Sequence, residues 1–289
     1  MTSVIKKELR TYFSSVIGYA LVAGFVLMNA IFFYAINLDG RNTAFYEVLN
    51  NTSIIFLIMV PILTMRLFAE ESKQKTDQLL FTSPLKTEQV VFGKYLSAVC
   101  FMGISMSITV LFPVILSFFS EDFPTAQVVS GYAGYFLMAA AFVSVGMFVS
   151  ALTDNQIVSA FVSFVILLII YIILPFLLYV LPGETMASFV LLVLLILVFG
   201  LFFTLSTKNL YAGVTVCVIL LAAASAVYYF NPLLLDGFLR GFVSWFSVSS
   251  RFDNFYNGVL SLSDIVYYIG FSLAFIYFTI NVIEKRRWK

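Results

Sequence analysis

Long apolar runs separated by short polar breaks dominate this sequence. We read eight runs of about 20 residues or more, the length a helix needs to cross a hydrocarbon core about 30 Å thick. They cover 16–36, 52–68, 90–119, 131–152, 157–181, 186–206, 210–230 and 265–283. Backbone N–H and C=O groups in lipid have no water to bond, so each run is predicted to be a helix. The third run is long enough to begin outside the hydrocarbon. The short turn Ser206-Thr207-Lys208-Asn209 joins the sixth to the seventh, which makes them a hairpin. The pattern predicts an all-α polytopic membrane protein whose residues 1–289 form a single transmembrane domain.

Three segments between or before the spans carry a helical period of their own. In residues 1–15, Ile5, Leu9, Tyr12 and Phe13 share one face with Val16, while Lys6, Lys7, Glu8, Arg10 and Thr11 lie elsewhere. That suits a helix lying in the membrane interface, although an ordinary basic flank would read the same way. The apolar run that follows is longer than a signal peptide core and has no small-x-small cleavage site after it, so it is read as a retained span. In residues 231–264, one stripe joins Leu235, Phe238, Leu239, Phe242, Trp245 and Phe246, and a second joins Phe252, Phe255, Tyr256, Val259 and Leu260. Two short amphipathic helices at the outer interface are predicted.

The third segment, 69–89, is the most polar. Glu70, Glu71, Lys73, Lys75 and Asp77 crowd together there. As a helix it would pair Glu71 with Lys75 and Lys73 with Asp77 at i,i+4. Leu79, Leu80 and Phe81 give it an apolar end, and Ser83-Pro84 can cap and start a new helix. Two readings fit: a solvated loop helix, or a docking helix for a soluble partner, with apolar tips for contact and charges for register.

Composition narrows the classes. The chain is 62% hydrophobic and 11% charged, with 16 basic residues, 15 acidic residues and no histidine. Soluble domains carry about a quarter charged residues. A net charge of +1 gives no electrostatic footprint for nucleic acid. The absence of histidine excludes His-based metal sites and Ser-His-Asp catalysis. No phosphate-cradling G-x-x-x-x-G-K-[ST] run occurs, and Cys100 and Cys217 each sit alone in an apolar run. Ionisable groups deep in the spans are scarce, which argues against a proton-coupled carrier.

The basic residues also orient the chain. Eight spans put both termini on one side. That side would hold Lys6, Lys7, Arg10, Arg66, Lys73, Lys75, Lys86, Lys94, Lys208, Lys285, Arg286, Arg287 and Lys289, leaving Arg41, Arg240 and Arg251 opposite. The positive-inside rule therefore places both termini, and segment 69–89, in the cytoplasm.

The run Pro61 to Tyr95 resembles type-2 ABC exporter permeases, and more closely their gliding-motility (GldF-like) branch. The pieces that carry it are Leu63-Thr64-Met65-Arg66, Ala69-Glu70-Glu71, Thr76 with Leu79-Leu80, Thr82-Ser83-Pro84 and Gly93-Lys94. Ser150 to Phe161 and the C-terminal Glu284-Lys285-Arg286-Arg287-Trp288 are similar as well. The resemblance implies a permease subunit in the bacterial cytoplasmic (inner) membrane, most often an exporter, that binds no cofactor itself. ATP and Mg²⁺ would sit on a partner ABC ATPase dimer.

In that family the loop between spans two and three carries the coupling helix. The resemblance assigns this role to Glu70, Glu71, Lys73, Thr76, Asp77, Leu79, Leu80 and Ser83. Asp154, Asn155 and Gln156 would make a second cytoplasmic contact, or simply a polar turn. Short outer helices close the pathway in such permeases, which points to Phe242, Trp245, Phe246 and Phe255 as an outer gate; an aromatic interfacial belt is the other reading. Other partners implied are membrane lipid, a second copy or a homologous permease, and an auxiliary subunit with a large outer domain. A chain that moves an outer partner without cargo, or a stand-alone carrier, are the alternatives. The family core has six spans, so the hairpin 186–230 is an addition.

Overall fold

The computed structural model describes residues 2–75, 86–120, 123–181, 185–207, 210–231 and 237–287. Among them all regular structure is helical. The chain divides into two compact units, residues 1–169 with 251–289, and residues 170–250. Among the described residues, six helical segments are long and apolar enough to cross a membrane: Val16–Asp39, Phe45–Lys73, Thr87–Phe119, Thr125–Leu152, Gln156–Val180 and Leu262–Arg286.

The first unit opens with α1 (Thr2–Ser14) and α2 (Val16–Phe33), the latter prolonged by a wide turn, Tyr34–Asp39. Ser15 divides them. Its backbone is extended, and its Oγ accepts from the Gly18 N–H at 3.1 Å, capping α2. The second segment comprises α3 (Phe45–Thr52), a tight turn at Ser53–Ile55, α4 (Phe56–Thr64) and the short α5 (Ala69–Lys73). The third comprises α6 (Thr87–Thr109) and α7 (Leu111–Phe119), which break at Val110. Pro113 explains the break, because it has no N–H to donate to the Thr109 carbonyl.

Then come α8 (Thr125–Leu152) and α9 (Gln156–Leu168). Asn155 caps α9, its Oδ1 accepting from the Ile157 N–H at 2.9 Å. The unit ends with α14 (Phe252–Tyr256) and α15 (Leu262–Arg287).

The core of this unit is α8. Every residue from Met138 to Met147 is buried, about three turns enclosed on all sides. It packs against α4, α6, α9, α14 and α15. Small residues make this possible, since Ala139, Ala140, Ala141, Ser144 and Gly146 let backbones approach. Around them Phe25, Phe56, Tyr135 and Phe142 form an aromatic cluster, with Phe56 and Tyr135 centroids 4.5 Å apart. A polar thread crosses it: the Thr52 hydroxyl lies 3.3 Å from Asn29 Oδ1 and 3.2 Å from the Tyr135 hydroxyl.

Gly146 and Ser150 mark close helix approaches inside the chain. A Cβ on Gly146 would overlap the Thr64 hydroxyl and stand 3.0 Å from Thr64 Cβ and 3.1 Å from its Cγ2. Gly146→Val is therefore expected to lower the unfolding midpoint in detergent by the equivalent of about 1–3 kcal/mol, the usual cost of overpacking. Adding Thr64→Ala should recover part of the loss. If the double variant is no better than Gly146→Val, the clash lies elsewhere.

The second unit continues from α9 through a wide turn, Ile169–Ile173, into α10 (Leu174–Val180). Pro175 has no N–H for the Tyr171 carbonyl, and the Ser249 hydroxyl donates to that carbonyl instead at 3.2 Å. The unit also holds α11 (Thr185–Thr207), α12 (Leu210–Phe230) and α13 (Phe238–Phe246). Helices α11 and α12 pack together as the hairpin the sequence predicts, with the Phe189 and Tyr228 rings 4.6 Å apart. Their apolar stretches, Ser188–Gly200 and Val214–Phe230, are shorter than those of the six long segments.

Candidate functional site: a polar junction at the base of α5

Lys94 is the eighth residue of α6, about two turns in, and is 1% exposed. Its ammonium has three N–H groups and meets three oxygens: Glu8 Oε1 at 2.9 Å, Glu71 Oε1 at 2.9 Å and the Leu67 carbonyl at 2.7 Å. The Phe68 ring lies 5.2 Å from the same nitrogen. A buried ammonium is tolerated only when paired and fully hydrogen-bonded, and this one is. The single side chain thereby ties α1, through Glu8, and α5, through Glu71, to α6.

Two further ties join the same place. Ser150, near the end of α8, accepts from the N–H groups of Phe68 and Ala69 at 3.1 Å each, and donates to the Met65 carbonyl at 3.3 Å. These are backbone groups at the end of α4 and the start of α5, which helix termini leave without partners. The Tyr12 hydroxyl of α1 donates to the Leu63 carbonyl at 3.3 Å, and burial pushes its pKa far up, so it stays a neutral donor.

On the outer side of α5, Ser72 donates to Asp154 Oδ1 at 2.6 Å, and Arg286 of α15 reaches both Asp154 at 3.0 Å and Ser72 at 3.0 Å. The bond from Ser72, helped by Arg286, holds the Asp154 carboxyl below its ordinary 3.8 against a smaller opposing effect of burial. A depressed carboxylate stabilises the fold above the usual pKa and loses that effect as pH falls through the folded value. The Asp154 side chain is 68% exposed, so water screens the pair and the effect is small. Asp154→Asn should lower the unfolding midpoint slightly at pH 7, with the gap closing below about pH 4. A gap that stays the same size however far the pH is lowered would mean the bond to Ser72 does not depend on the charge.

The expected docking residues divide. Lys73 is exposed and Glu70 is half-buried, 3.7 Å from Arg66. Glu71 turns inward to Lys94 and does not form the expected helical pair with Lys75: α5 ends at Lys73, and Lys75 has φ +56°. Thr76, Asp77, Leu79, Leu80 and Ser83 lie outside the described residues. Asp154 is part of the junction, Asn155 is the α9 cap and Gln156 is the first residue of α9. Sequence reasoning missed Lys94, Glu8, Ser72, Ser150 and Arg286 as junction residues.

The expected outer gate is also divided. Phe255 is a core residue of the first unit, packed on Gly134 of α8, with its carbonyl accepting from the Ser130 hydroxyl at 2.8 Å. Phe242, Trp245 and Phe246 are exposed on α13 of the second unit. Beside Phe255, at the head of α15, Asp264 is wholly buried and bonds Arg251 Nη1 at 3.2 Å and Asn254 Nδ2 at 2.6 Å. Asp264 and Arg286 stand 22 residues apart on one helix, about 33 Å, so these two polar clusters mark opposite ends of the unit.

No cluster of Cys, Asp or Glu among the described residues could hold a metal ion. Residues 33–189, more than half of the chain, match the family model described as ABC-2 family transporter protein. No curated protein matches the chain significantly.

Proposed function

This chain belongs to the ABC-2 transporter family as a multi-pass membrane permease component, and from that membership we propose that segment 69–89 is the lever through which a partner ATPase drives it. The polar junction at the base of α5 carries this reading. A push on the segment beyond Lys75 is delivered through α5 to α1 and α6 by way of Lys94. It reaches α8 through Ser150 and α15 through Arg286. Four helices therefore receive one displacement, which a loop helix floating in water could not transmit. The exposed Lys73 and the half-buried Glu70 meet the ATPase, with Thr76, Asp77, Leu79, Leu80 and Ser83 completing the contact.

In this reading the chain carries out no bond chemistry; ATP and Mg²⁺ are held by the ATPase dimer. Both termini and the junction lie in the cytoplasm, as the basic residues favour, and α11 and α12 span the bacterial inner membrane as a seventh and eighth helix. Two permease chains, identical or homologous, enclose an export path that α13 and its aromatic side chains close on the outer side. The resemblance of Pro61 to Tyr95 supports the gliding-motility branch, in which an auxiliary outer subunit would join the complex.

The test is affinity purification of the full-length chain from native membranes in mild detergent. A P-loop ATPase should come along in stoichiometric amount, and should be lost when Thr76–Leu80 are replaced by a Gly/Ser linker. An ATPase retained at full level by the linker variant would move the docking site elsewhere. Cargo movement in vesicles containing both subunits, absent without ATP, would distinguish an exporter from a mechanical scaffold.

A further inference from the structure

Helix α1 carries parallel stripes at four-residue spacing. Val4, Glu8 and Tyr12 point into the protein: Val4 and Tyr12 are buried, and Glu8 is held by Lys94. Next to them run the half-buried Ile5, Leu9 and Phe13, and then the exposed Thr2, Lys6 and Arg10. A shallow groove between these last two stripes is lined by Thr2, Ile5, Lys6, Leu9, Arg10 and Phe13.

The charges around it are not balanced. Glu8 is the only acid on α1 and is withdrawn to Lys94. Lys7 leans on Glu71 at 3.5 Å. Lys6 and Arg10 make no ion pair among the described residues. Helix α1 is also fixed in place: the Tyr12 and Phe13 rings stand 5.2 and 5.3 Å from Phe101 of α6. Only Ser15 separates it from α2, so its C-terminal end lies where that span enters the bilayer. The groove thus offers two cations beside an apolar stripe at the membrane surface.

We propose that this groove binds an anionic phospholipid. Lys6 and Arg10 take the phosphodiester and the negative headgroup, with the Thr2 hydroxyl as a further donor, and Ile5, Leu9 and Phe13 cover the first part of an acyl chain. A soluble anion would gain nothing from the apolar stripe, and a zwitterionic lipid would gain little from the cations. Binding there requires α1 to lie at the bilayer surface; it does not require an ATPase to dock nearby. Through Glu8 and Lys94, an occupied groove would hold α1 against the junction that seats α5.

Each cation near an anionic membrane surface is worth roughly a five-fold preference, so two give up to about 25-fold before salt screening. The test is native mass spectrometry of the full-length chain in mild detergent, given equal amounts of phosphatidylglycerol and phosphatidylcholine. Phosphatidylglycerol should be retained at least five-fold over phosphatidylcholine. The double variant Lys6→Ala, Arg10→Ala should bring that ratio to about one, whereas Lys285→Ala, an exposed cation elsewhere, should leave it unchanged. Both groove residues are exposed, so the double variant should keep its unfolding midpoint. A wild-type chain without preference, or a double variant that retains it, would overturn the assignment. So would displacement of phosphatidylglycerol by inorganic phosphate at equal concentration, which would make the site one for a soluble anion.

Discussion

Lys94→Met should destabilise the chain by about 3 kcal/mol and uncouple it from its ATPase. The substitution shortens the unbranched side chain by one atom and removes its charge, so packing changes little. What remains is two carboxylates, Glu8 and Glu71, facing the same point with no cation, and a Leu67 carbonyl without its donor. Removing one partner of a buried pair costs about 3–5 kcal/mol, because the other charge stays behind. The Glu8 and Glu71 side chains keep 12% and 16% of their surface, so water relieves part of the loss and the lower figure applies. The triple variant Lys94→Met, Glu8→Gln, Glu71→Gln leaves no stranded charge and should regain most of the stability. It should still fail to couple, since the ammonium that joins α1, α5 and α6 is gone. The measurements are the unfolding midpoint in detergent and ATP-dependent transport with the ATPase present. A triple variant that is stable and fully coupled would reduce the junction to a packing feature.

The sequence made the helices legible because burial in lipid leaves few alternatives to a hydrogen-bonded helix. It was less informative about where they start and bend. The second segment begins at Phe45, seven residues before the predicted 52. Phe45, Val48, Leu49 and Thr52 form a buried face, but Glu47, Asn50 and Asn51 on the other face lower the average hydropathy and hide it. The third run reads as one helix, and the break at Val110 could have been placed from Pro113 alone. The hairpin was legible from its four-residue turn, yet its residues lie almost wholly beyond the matched family region, which ends at 189.

The junction was harder to see for a physical reason. Local rules pair Glu71 with Lys75, a contact worth only about 0.2–0.5 kcal/mol on an exposed helix. Satisfying a buried ammonium outweighs that several-fold, and Glu71 turns to Lys94 instead. One signal was available: a lysine within an apolar run must find an acid. It identifies Lys94 as needing partners but not which acids they are, since Glu8 is 86 residues away in sequence. The bond between Ser72 and Arg286 spans 214 residues and leaves no local trace. Phe255 shows the converse. Its aromatic period reads as a surface stripe, whereas Gly134 opens a seat for it in the core.

At the opposite end of the unit, Arg251→Met should cost more than Asp264→Asn, although both remove the same ion pair. The difference lies in what is left behind. Asp264 is wholly buried, whereas the Arg251 side chain is 31% exposed and rests on the Tyr267 ring at 5.1 Å. Without Arg251, a carboxylate remains in the interior with Asn254, at 2.6 Å, as its side-chain donor among the described residues, and about 3–5 kcal/mol is expected. With asparagine at position 264, Arg251 can turn to water and a neutral oxygen still accepts one bond. The loss should then be about 1.5–3 kcal/mol, that of a hydrogen bond to a charged group. Asp264 also lies in the first turn of α15, where a negative charge is favoured by the helix dipole at about 0.3–1 kcal/mol, too little to reverse the order. Unfolding midpoints of the two variants in one detergent decide it. Equal losses would mean that the solvent exposure of Arg251 does not matter. The reverse order would mean that the charge of Asp264 is stabilised without Arg251, by its bond from Asn254 and by the helix dipole of α15.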